Sequence, residues 1–530
     1  MAAWACIIRL IGCYGGASHR LPEFQRAAKR GRTEFFDMFT KVTPESCGIE
    51  SSRIQEFLEY LEDCGLTTHG VLIAKDDKIF AEAYYKPFHA DFCHRMYSQT
   101  KSYVGIAIGL LAEEGKISLD DKIYDYFKNE LENPPSEYMQ QQTIREMLTM
   151  TTATTKWDCW FTSAAKDRVQ NYFAFNEAKQ PSGTAWYYDS AGSQILGTLV
   201  ERVSGKRLFD YLYEKVFCHL GTFKTATILK ARGGDSWADS ALVCTLRDMA
   251  SFARFLMHGG TVDGKYIMNA DYIKEATSPL RDCCEGGFEH ATAQGYGYQI
   301  WGIKDGFGFL GMGNQDTFVL PGQKLIFSIN SDNQGFAASR QLILQGYRHL
   351  VAKHVKDAPL PENPEAYKKL CDYIETLKLA SVSGKKTVPF AKEIQDKEFV
   401  AEENKLGIEK FSLHFDGEKG GELRYTNKSG AKVLPFGMCE NVFGKFPEEG
   451  YSNEEGGVCT KGFFYDCASA AAWREEKKLQ IRVRIIDRYF GNLCLIFSFK
   501  NPELVVVDAV KTAEDFLNEY SGKLVARAKA

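Results

Sequence analysis

The stretch Ser98-Gln99-Thr100-Lys101 opens an apolar run, Tyr103-Val104-Gly105-Ile106-Ala107-Ile108-Gly109-Leu110-Leu111. The run predicts a buried helix, in which residues three apart lie on one face, one turn apart. Ser98 would lie near the first turn, where unpaired N–H groups and the helix dipole favour negative charge. A serine needs a neighbouring base to act as a nucleophile, and a desolvated lysine amine can accept its proton. The spacing therefore indicates a nucleophile–base pair of Ser98 and Lys101, with a serine cap before a surface lysine as the alternative.

The composition is that of an ordinary globular protein. The chain has 530 residues, of which 44% are hydrophobic and 25% charged, and a formal net charge of -4. This length predicts two or three domains. A net charge of -4 does not indicate a basic surface, so we expect no nucleic-acid partner. No apolar run reaches the roughly 18 residues that a membrane helix needs, so we expect a soluble protein with no membrane span.

The 15 cysteines lie scattered along the chain, without the spacing of a disulfide framework or a zinc site. Reduced thiols are typical of the cytosol, so we predict a cytoplasmic protein without metal or cofactor. Residues 1–35 are predicted to be an N-terminal extension. Residues 1–22 contain no acidic side chain, and four basic residues follow between positions 26 and 32, so an organelle-targeting segment is the alternative to a poorly ordered extension.

Residues 36–355 combine helix and strand patterns, which predicts an α+β domain. Helices are predicted at 51–64, 98–115, 143–150, 190–203, 246–257 and 338–351. Strands are predicted at 70–74, 79–84, 298–301, 317–319 and 324–329. Residues 356–390 are predicted to be a linker, because Pro359, Pro361 and Pro364 interrupt helices.

Residues 391–530 predict a smaller, mostly β accessory domain. Short strands are expected at 411–415, 422–425, 479–486, 493–499 and 504–507, followed by a helix at 513–520. The segment 479–485 alternates apolar and polar residues, which is typical of a sheet with one buried face. Tyr489 and Phe490 fit either the core of a small barrel or the lining of a lipocalin-like cavity.

A second motif, Tyr188-Asp189-Ser190, lies in the stretch from Trp186 to Gly197. Together with Ser98-Gln99-Thr100-Lys101 it resembles the serine β-lactamase-related family, on the side of the class C β-lactamases, esterases and D-stereospecific peptidases. The segments 113–121 and 143–150 resemble the family as well, and the resemblance extends from about Thr43 to about Leu350. It implies the β-lactamase-like (penicillin-binding-protein-like) fold, an antiparallel sheet flanked by helices with a helical part across a cleft.

The resemblance also implies roles for individual residues. Ser98 would attack a carbonyl group and carry the acyl group, and Lys101 would take or share its proton. Tyr188 would act across the cleft as a second base and as the acid for the leaving group. Ser190 would hydrogen-bond Lys101 or a substrate amide. The alternatives are an aromatic core residue for Tyr188 and a helix N-cap for Ser190.

The third family motif, Lys or His followed by a small residue and Gly, aligns with Phe309-Leu310-Gly311. Gly311 still allows close backbone approach, and the N–H of Met312 would form an oxyanion hole with that of Ser98. The cation that meets a substrate carboxylate in the penicillin-binding relatives is missing. Apolar Phe309 and Leu310 instead suit an uncharged acyl or ester group.

We therefore predict a serine hydrolase with a small-molecule carboxylic ester or amide as substrate, and esters as the leading class. A D-amino-acid peptidase, a D-alanyl carboxypeptidase or a β-lactamase are the alternatives within the family. A non-catalytic binding or scaffold protein on the same fold is the alternative outside it. The oligomeric state stays open.

Overall fold

The computed structural model describes residues 38–153, 167–174, 180–283, 293–451, 455–456, 458–513, 517 and 520–529. The predicted extension over residues 1–35 lies outside the described residues. Of the predicted helix 513–520, only Ala513, Leu517 and Tyr520 are described, and none of the three is α-helical. Within the described ranges, we find no helix that combines the length and the apolar character needed to cross a membrane.

A large antiparallel sheet forms the centre of the N-terminal part. The strands of this part are β1 Thr40–Lys41, β2 Thr68–Lys75, β3 Lys78–Tyr84, β4 His94–Arg95, β5 Thr227–Ile228, β6 Leu242–Cys244, β7 Thr261–Val262, β8 Lys265–Tyr266, β9 Ala293–Tyr296, β10 Trp301–Ile303, β11 Gly306–Gly311, β12 Gln315–Leu320 and β13 Leu325–Ser331. Eight of them pair in the order β1-β3-β2-β13-β12-β11-β10-β9, and only β1 and β3 run parallel. Leu72 and Ile73 of β2 point into two different cores, because both faces of the sheet are covered.

Helices pack on both faces of this sheet. They are α1 Ser51–Asp63, α2 Thr100–Glu113, α3 Ile123–Phe127, α4 Glu137–Gln141, α5 Ile144–Leu148, α6 Arg168–Phe173, α7 Ser190–Ser204, α8 Leu208–Leu212, α9 Cys218–Leu220, α10 Leu246–Met257, α11 Ala270–Ala276 and α12 Ser339–Gly346. Helix α2 is buried almost all round, as its continuous apolar sequence predicts. Gly105 lets it approach the loop before β10, since a Cβ there would lie 2.6 Å from the carbonyl oxygen of Tyr298.

Two sequence predictions need correction in this part. The strand predicted at 298–301 begins only at Trp301, because Gln299 has a φ of 61°, a left-handed conformation outside the strand region. The predicted linker contains a helix, α13 Pro364–Thr376, that packs against α1. Pro364 occupies the first helical position, where a missing N–H costs nothing, so it begins a helix instead of interrupting one.

The C-terminal part is a ten-stranded sheet. After α14 Ala391–Ile394, its strands are β14 Phe399–Ala401, β15 Lys410–Asp416, β16 Gly420–Asn427, β17 Gly430–Met438, β18 Val442–Tyr451, β19 Cys459–Glu475, β20 Lys478–Ile486, β21 Phe490–Asn501, β22 Leu504–Thr512 and β23 Gly522–Ala528. The order is β17-β16-β15-β14-β23-β22-β21-β20-β19-β18, and β17 also pairs with β19. The predicted α+β class with a mostly β C-terminal part is confirmed. Tyr489 and Phe490 are both buried, which favours their core alternative.

Candidate active site

Ser98 lies in a short 3₁₀ turn, Tyr97–Gln99, that leads directly into α2. The turn begins with Tyr97, a buried residue whose φ of 48° is left-handed. A non-glycine residue is strained in this conformation and persists only when its surroundings hold it. The buried amide of Gln99 contributes by donating to the carbonyl of Gln315 at 3.0 Å. Ser98 therefore lies just before the helix, not within its first turn.

The side chains of Ser98 and Lys101 contact each other. Lys101 Nζ lies 3.0 Å from Ser98 Oγ, within hydrogen-bond distance. Lys101 is only 1% exposed, so its amine is removed from water. Nζ also donates to the carbonyl of Asp239 at 2.8 Å, and the carboxylate of the same residue lies 3.9 Å away. Among the described residues, we find no hydrogen bond between Lys101 Nζ and Ser190.

Asp239 was missed by the sequence analysis. It lies in the turn Ser236–Ser240, which a polar side chain of α7 holds in place. Gln194 accepts from the N–H of Ala238 at 2.8 Å. Gly197 permits this approach, because a Cβ there would lie 2.0 Å from the Ala238 Cβ. A glutamine among the apolar residues of α7 is the one signal that could have indicated a polar partner across the helix.

Tyr188 faces Lys101 from the segment before α7. Lys101 Nζ lies 5.2 Å from the centroid of the Tyr188 ring, within cation–π range. The ring also stacks on Trp301 of β10, with centroids 5.5 Å apart and an interplanar angle of 20°. The ring therefore belongs to an aromatic cluster, as the core alternative expects, and also lies beside the Lys101 amine.

The N-cap of α7 is Asp189, and Ser190 is the first helical residue. The carboxylate of Asp189 accepts from the N–H of Gly192 at 2.9 Å. The N-cap alternative for Ser190 is therefore wrong, because the aspartate one residue earlier takes that position. Burial raises the pKa of Asp189, and the N–H of Gly192 and the charge of Lys101 offset this only in part.

The end of β11 lies against the turn that carries Ser98. A Cβ on Gly311 would lie 2.3 Å from the carbonyl oxygen of Met96, so only glycine allows this approach. Met312 follows, half-buried. Its backbone N–H and that of Ser98 thus lie on adjoining segments.

Phe309 and Leu310 do not offer apolar surface to a substrate, contrary to the expectation from their sequence position. Phe309 is completely buried, with its ring 5.5 Å from that of Phe252 and 6.5 Å from that of Tyr103. Leu310 belongs to the hydrophobic core on the other face of the sheet. Side chains alternate between the faces of a strand, so both are used for packing.

The charged groups around Lys101 come from separate elements. Asp239 and Asp189 are the acidic ones, and Arg168 of α6 lies 3.9 Å from the Asp239 carboxylate. Among the described residues, no cluster of three or more His, Cys, Asp or Glu side chains could hold a metal ion.

The match to known proteins covers this site. The model of the β-lactamase family matches residues 54–351, more than half of the chain. The chain belongs to the β-lactamase family. A 6-aminohexanoate-dimer hydrolase of Paenarthrobacter ureafaciens is 24% identical over 280 residues, which are 47% of this chain and 68% of that protein.

Two solved structures of this group are also similar. A β-lactamase/D-alanine carboxypeptidase from Yersinia pestis is 16% identical, with a TM-score of 0.48, over 58% of this chain and 98% of that one. An octameric penicillin-binding protein homologue from Pyrococcus abyssi is 17% identical, with a TM-score of 0.45, over 89% of this chain and 99% of that one. The predicted β-lactamase-like fold is confirmed by the family match, which includes every site residue from Ser98 to Met312 and ends before α13.

Proposed function

We propose that this β-lactamase family protein is a serine hydrolase that cleaves a carboxylic ester or amide through an acyl-enzyme on Ser98. The observation that carries the proposal is the 3.0 Å contact between Ser98 Oγ and the Nζ atom of buried Lys101. A buried amine costs free energy unless it is paired, and Asp239 pairs with Lys101 Nζ while leaving it in contact with the Ser98 hydroxyl, which supports a role for this amine as the base. The family and the hydrolase name of a relative support hydrolysis as the reaction class.

The first step transfers the Ser98 hydroxyl proton to the Lys101 amine while Oγ bonds to the substrate carbonyl carbon. The N–H groups of Ser98 and Met312 donate to the carbonyl oxygen as it becomes negative. Each such donor stabilises the transition state by about 3 kcal/mol. Gly311 supports this role, because it brings the strand end to within contact of the Ser98 turn.

The second step needs an acid for the leaving group, and we assign this role to Tyr188, whose ring centroid lies 5.2 Å from Lys101 Nζ. Its hydroxyl donates a proton to the departing alcohol or amine as the C–O or C–N bond breaks, and Lys101 restores that proton to it. Water then attacks the acyl group, and the acid is released from Ser98. The Asp239 carboxylate, 3.9 Å from Nζ, balances the charge of the ammonium form.

Esters are the leading substrate class because Phe309, at the position of the family's Lys or His, is buried and uncharged. β-Lactams and peptides ending in D-alanine carry a carboxylate that this position would have to meet. The name of the Paenarthrobacter relative adds the 6-aminohexanoate dimer as the second substrate to test.

The test measures turnover of p-nitrophenyl esters, the 6-aminohexanoate dimer, a D-alanyl peptide and a chromogenic cephalosporin. We expect ester turnover without cephalosporin turnover, and a mass increase on Ser98 from the trapped acyl group. Ser98→Ala and Lys101→Ala should abolish turnover, whereas Ser118→Ala, an exposed serine after α2, should not.

Residual turnover above a few per cent in Ser98→Ala or Lys101→Ala would overturn these roles. Turnover of the cephalosporin would favour a β-lactamase, and turnover of the D-alanyl peptide would favour a D-amino-acid peptidase or D-alanyl carboxypeptidase. If no substrate is turned over and no adduct forms, the proposal is refuted in favour of a non-catalytic binding or scaffold protein.

A further inference from the structure

Two residues of the C-terminal part lie close to the turn that carries Ser98. Phe490, the first residue of β21, is 0% exposed, and Tyr489, just before it, is 1% exposed. The carbonyl oxygen of Phe490 accepts from the Tyr97 hydroxyl at 3.4 Å, and the two rings lie 6.2 Å apart. The Phe490 ring also packs on His94 of β4, with centroids 5.0 Å apart. The strand that leads into the turn and the turn itself therefore both contact the C-terminal sheet.

Arg95 connects Tyr489 to the same turn. Its guanidinium lies 5.5 Å from the Tyr489 ring, 4.3 Å from the Tyr97 ring and 4.2 Å from the Trp237 ring. It also donates to the carbonyl oxygen and the hydroxyl of Ser240, at 2.9 and 2.7 Å. A buried guanidinium between aromatic rings has a fixed position. Stacking on the rings restrains it perpendicular to its plane, and hydrogen bonds from its N–H groups restrain it within the plane.

These contacts reach both members of the Ser98–Lys101 pair. Tyr97 immediately precedes Ser98, and its left-handed conformation has to be held from outside. Ser240 immediately follows Asp239, whose carbonyl accepts from Lys101 Nζ. A shift of Tyr97 or Arg95 would therefore change the position of the hydroxyl relative to the amine.

We propose that the C-terminal sheet is a working part of the active site, in which Tyr489 and Phe490 are positioning residues for Ser98. They act through Arg95 and Tyr97 and do not touch the substrate. This assigns a role to the part of the chain that the β-lactamase family match does not cover. The inference rests on the proposed function, since it concerns the reactivity of Ser98.

The Tyr489 and Phe490 rings can be removed without separating the C-terminal sheet from the N-terminal part, because other hydrogen bonds join the two. Arg484 donates to the Thr67 hydroxyl at 3.1 Å, and Asn492 donates to the Asp332 carboxylate at 3.3 Å. Phe490→Leu removes a ring that packs on Tyr97 but keeps the backbone carbonyl. Phe443→Leu is the matched control, because it is the same substitution in the same sheet at a residue that is 52% exposed.

The experiment follows labelling of the full-length protein by a fluorophosphonate, which reacts with activated serines. The final extent of labelling reports the fraction of folded sites, and the rate constant reports the reactivity of Ser98. We expect Phe490→Leu to reach full labelling with a rate constant about tenfold lower than Phe443→Leu, since small misplacements of reacting groups have large effects on rate. Tyr489→Leu should behave like Phe490→Leu, and Tyr489→Phe, which keeps the ring over Arg95, should react at the wild-type rate.

Equal rate constants in Phe490→Leu and Phe443→Leu would overturn the inference. So would a lower extent of labelling at an unchanged rate, because that result indicates a purely structural role. Absence of labelling at Ser98 in the wild-type protein would instead refute the proposed function, so the two failures are distinguishable.

Discussion

Gly311→Ala tests how closely the oxyanion donors depend on the approach of β11 to the Ser98 turn. The new Cβ would lie 2.3 Å from the Met96 carbonyl oxygen, whereas such contacts essentially never fall below 3.0 Å. The strand end must therefore move back by at least about 0.7 Å. A displacement of about 1 Å at a reacting site costs about 100-fold in rate, and so does the loss of one donor worth about 3 kcal/mol. We expect kcat/KM for a p-nitrophenyl ester to fall about 100-fold.

Gly308→Ala provides the matched control on the same strand. A Cβ there would lie 3.1 Å from the Thr317 carbonyl oxygen, so a shift of a few tenths of an ångström accommodates it. Its kcat/KM should stay within a few-fold of wild type. Steady-state hydrolysis and thermal unfolding are measured on both variants. If Gly311→Ala keeps kcat/KM within threefold of Gly308→Ala, the placement of the Met312 N–H does not matter and the oxyanion assignment is refuted.

Three further predictions concern stability. Gly197→Ala should lower the free energy of unfolding by about 2 kcal/mol, because its Cβ would overlap that of Ala238. Burial raises the pKa of Glu82, but the paired Arg247 and neighbouring groups outweigh this effect and leave the pKa below its ordinary value. Glu82→Gln should therefore lower the free energy of unfolding by about 2 kcal/mol at pH 7. This loss should shrink as the pH falls below about 4.5, because the wild-type carboxylate then becomes protonated. Burial lowers the pKa of His94 to about 3. Between pH 6 and pH 3 only the unfolded chain takes up this proton, so this histidine should lower the free energy of unfolding by about 1.4 kcal/mol per pH unit as the pH falls. His94→Gln should reduce the pH slope by that amount, while buried His69, whose pKa is also lowered, keeps its own contribution.

Urea unfolding of each variant beside wild type checks all three predictions. An unchanged midpoint for Gly197→Ala would show that α7 can move away from the 236–240 turn without loss. A Glu82→Gln cost that stays constant down to pH 3 would contradict the ion-pair explanation. The same pH slope in wild type and His94→Gln would show that another buried group takes up the proton.

The sequence predicts well those features that depend on neighbours in the chain. The helical periodicity of α2 and its end near Glu113 follow from local geometry. The same holds for the contact of Ser98 and Lys101, which are three residues apart. These features need no knowledge of which distant segments meet. Tyr188, in contrast, could be placed near the pair only because its motif follows in family order.

Features that depend on distant contacts were not predictable. Asp239 has no motif around it, and its role comes from the packing of a turn on α7 and from its backbone carbonyl, which every residue carries. The strands β17, β18 and β19 were missed because exposed polar residues interrupt their apolar alternation, as in the exposed start of β19 at Cys459. The contact of Tyr489 with Arg95 joins residues nearly 400 positions apart.

The missing cation of the third motif is a consequence of packing. Phe309 and Gly311 are two residues apart, so they face the same side of β11, where Gly311 meets the Ser98 turn and Phe309 fills the core beside Tyr103. A lysine at position 309 would need that core to open, since a buried ammonium without a partner is unstable. Any charged group that recognises a substrate must therefore come from another wall of the site. The charged groups closest to Lys101 on other elements include the Asp239 carboxylate, 3.9 Å from Nζ, and Arg168 lies 3.9 Å from that same carboxylate. A charged substrate would therefore be met by side chains outside the strand that carries the proposed oxyanion donor.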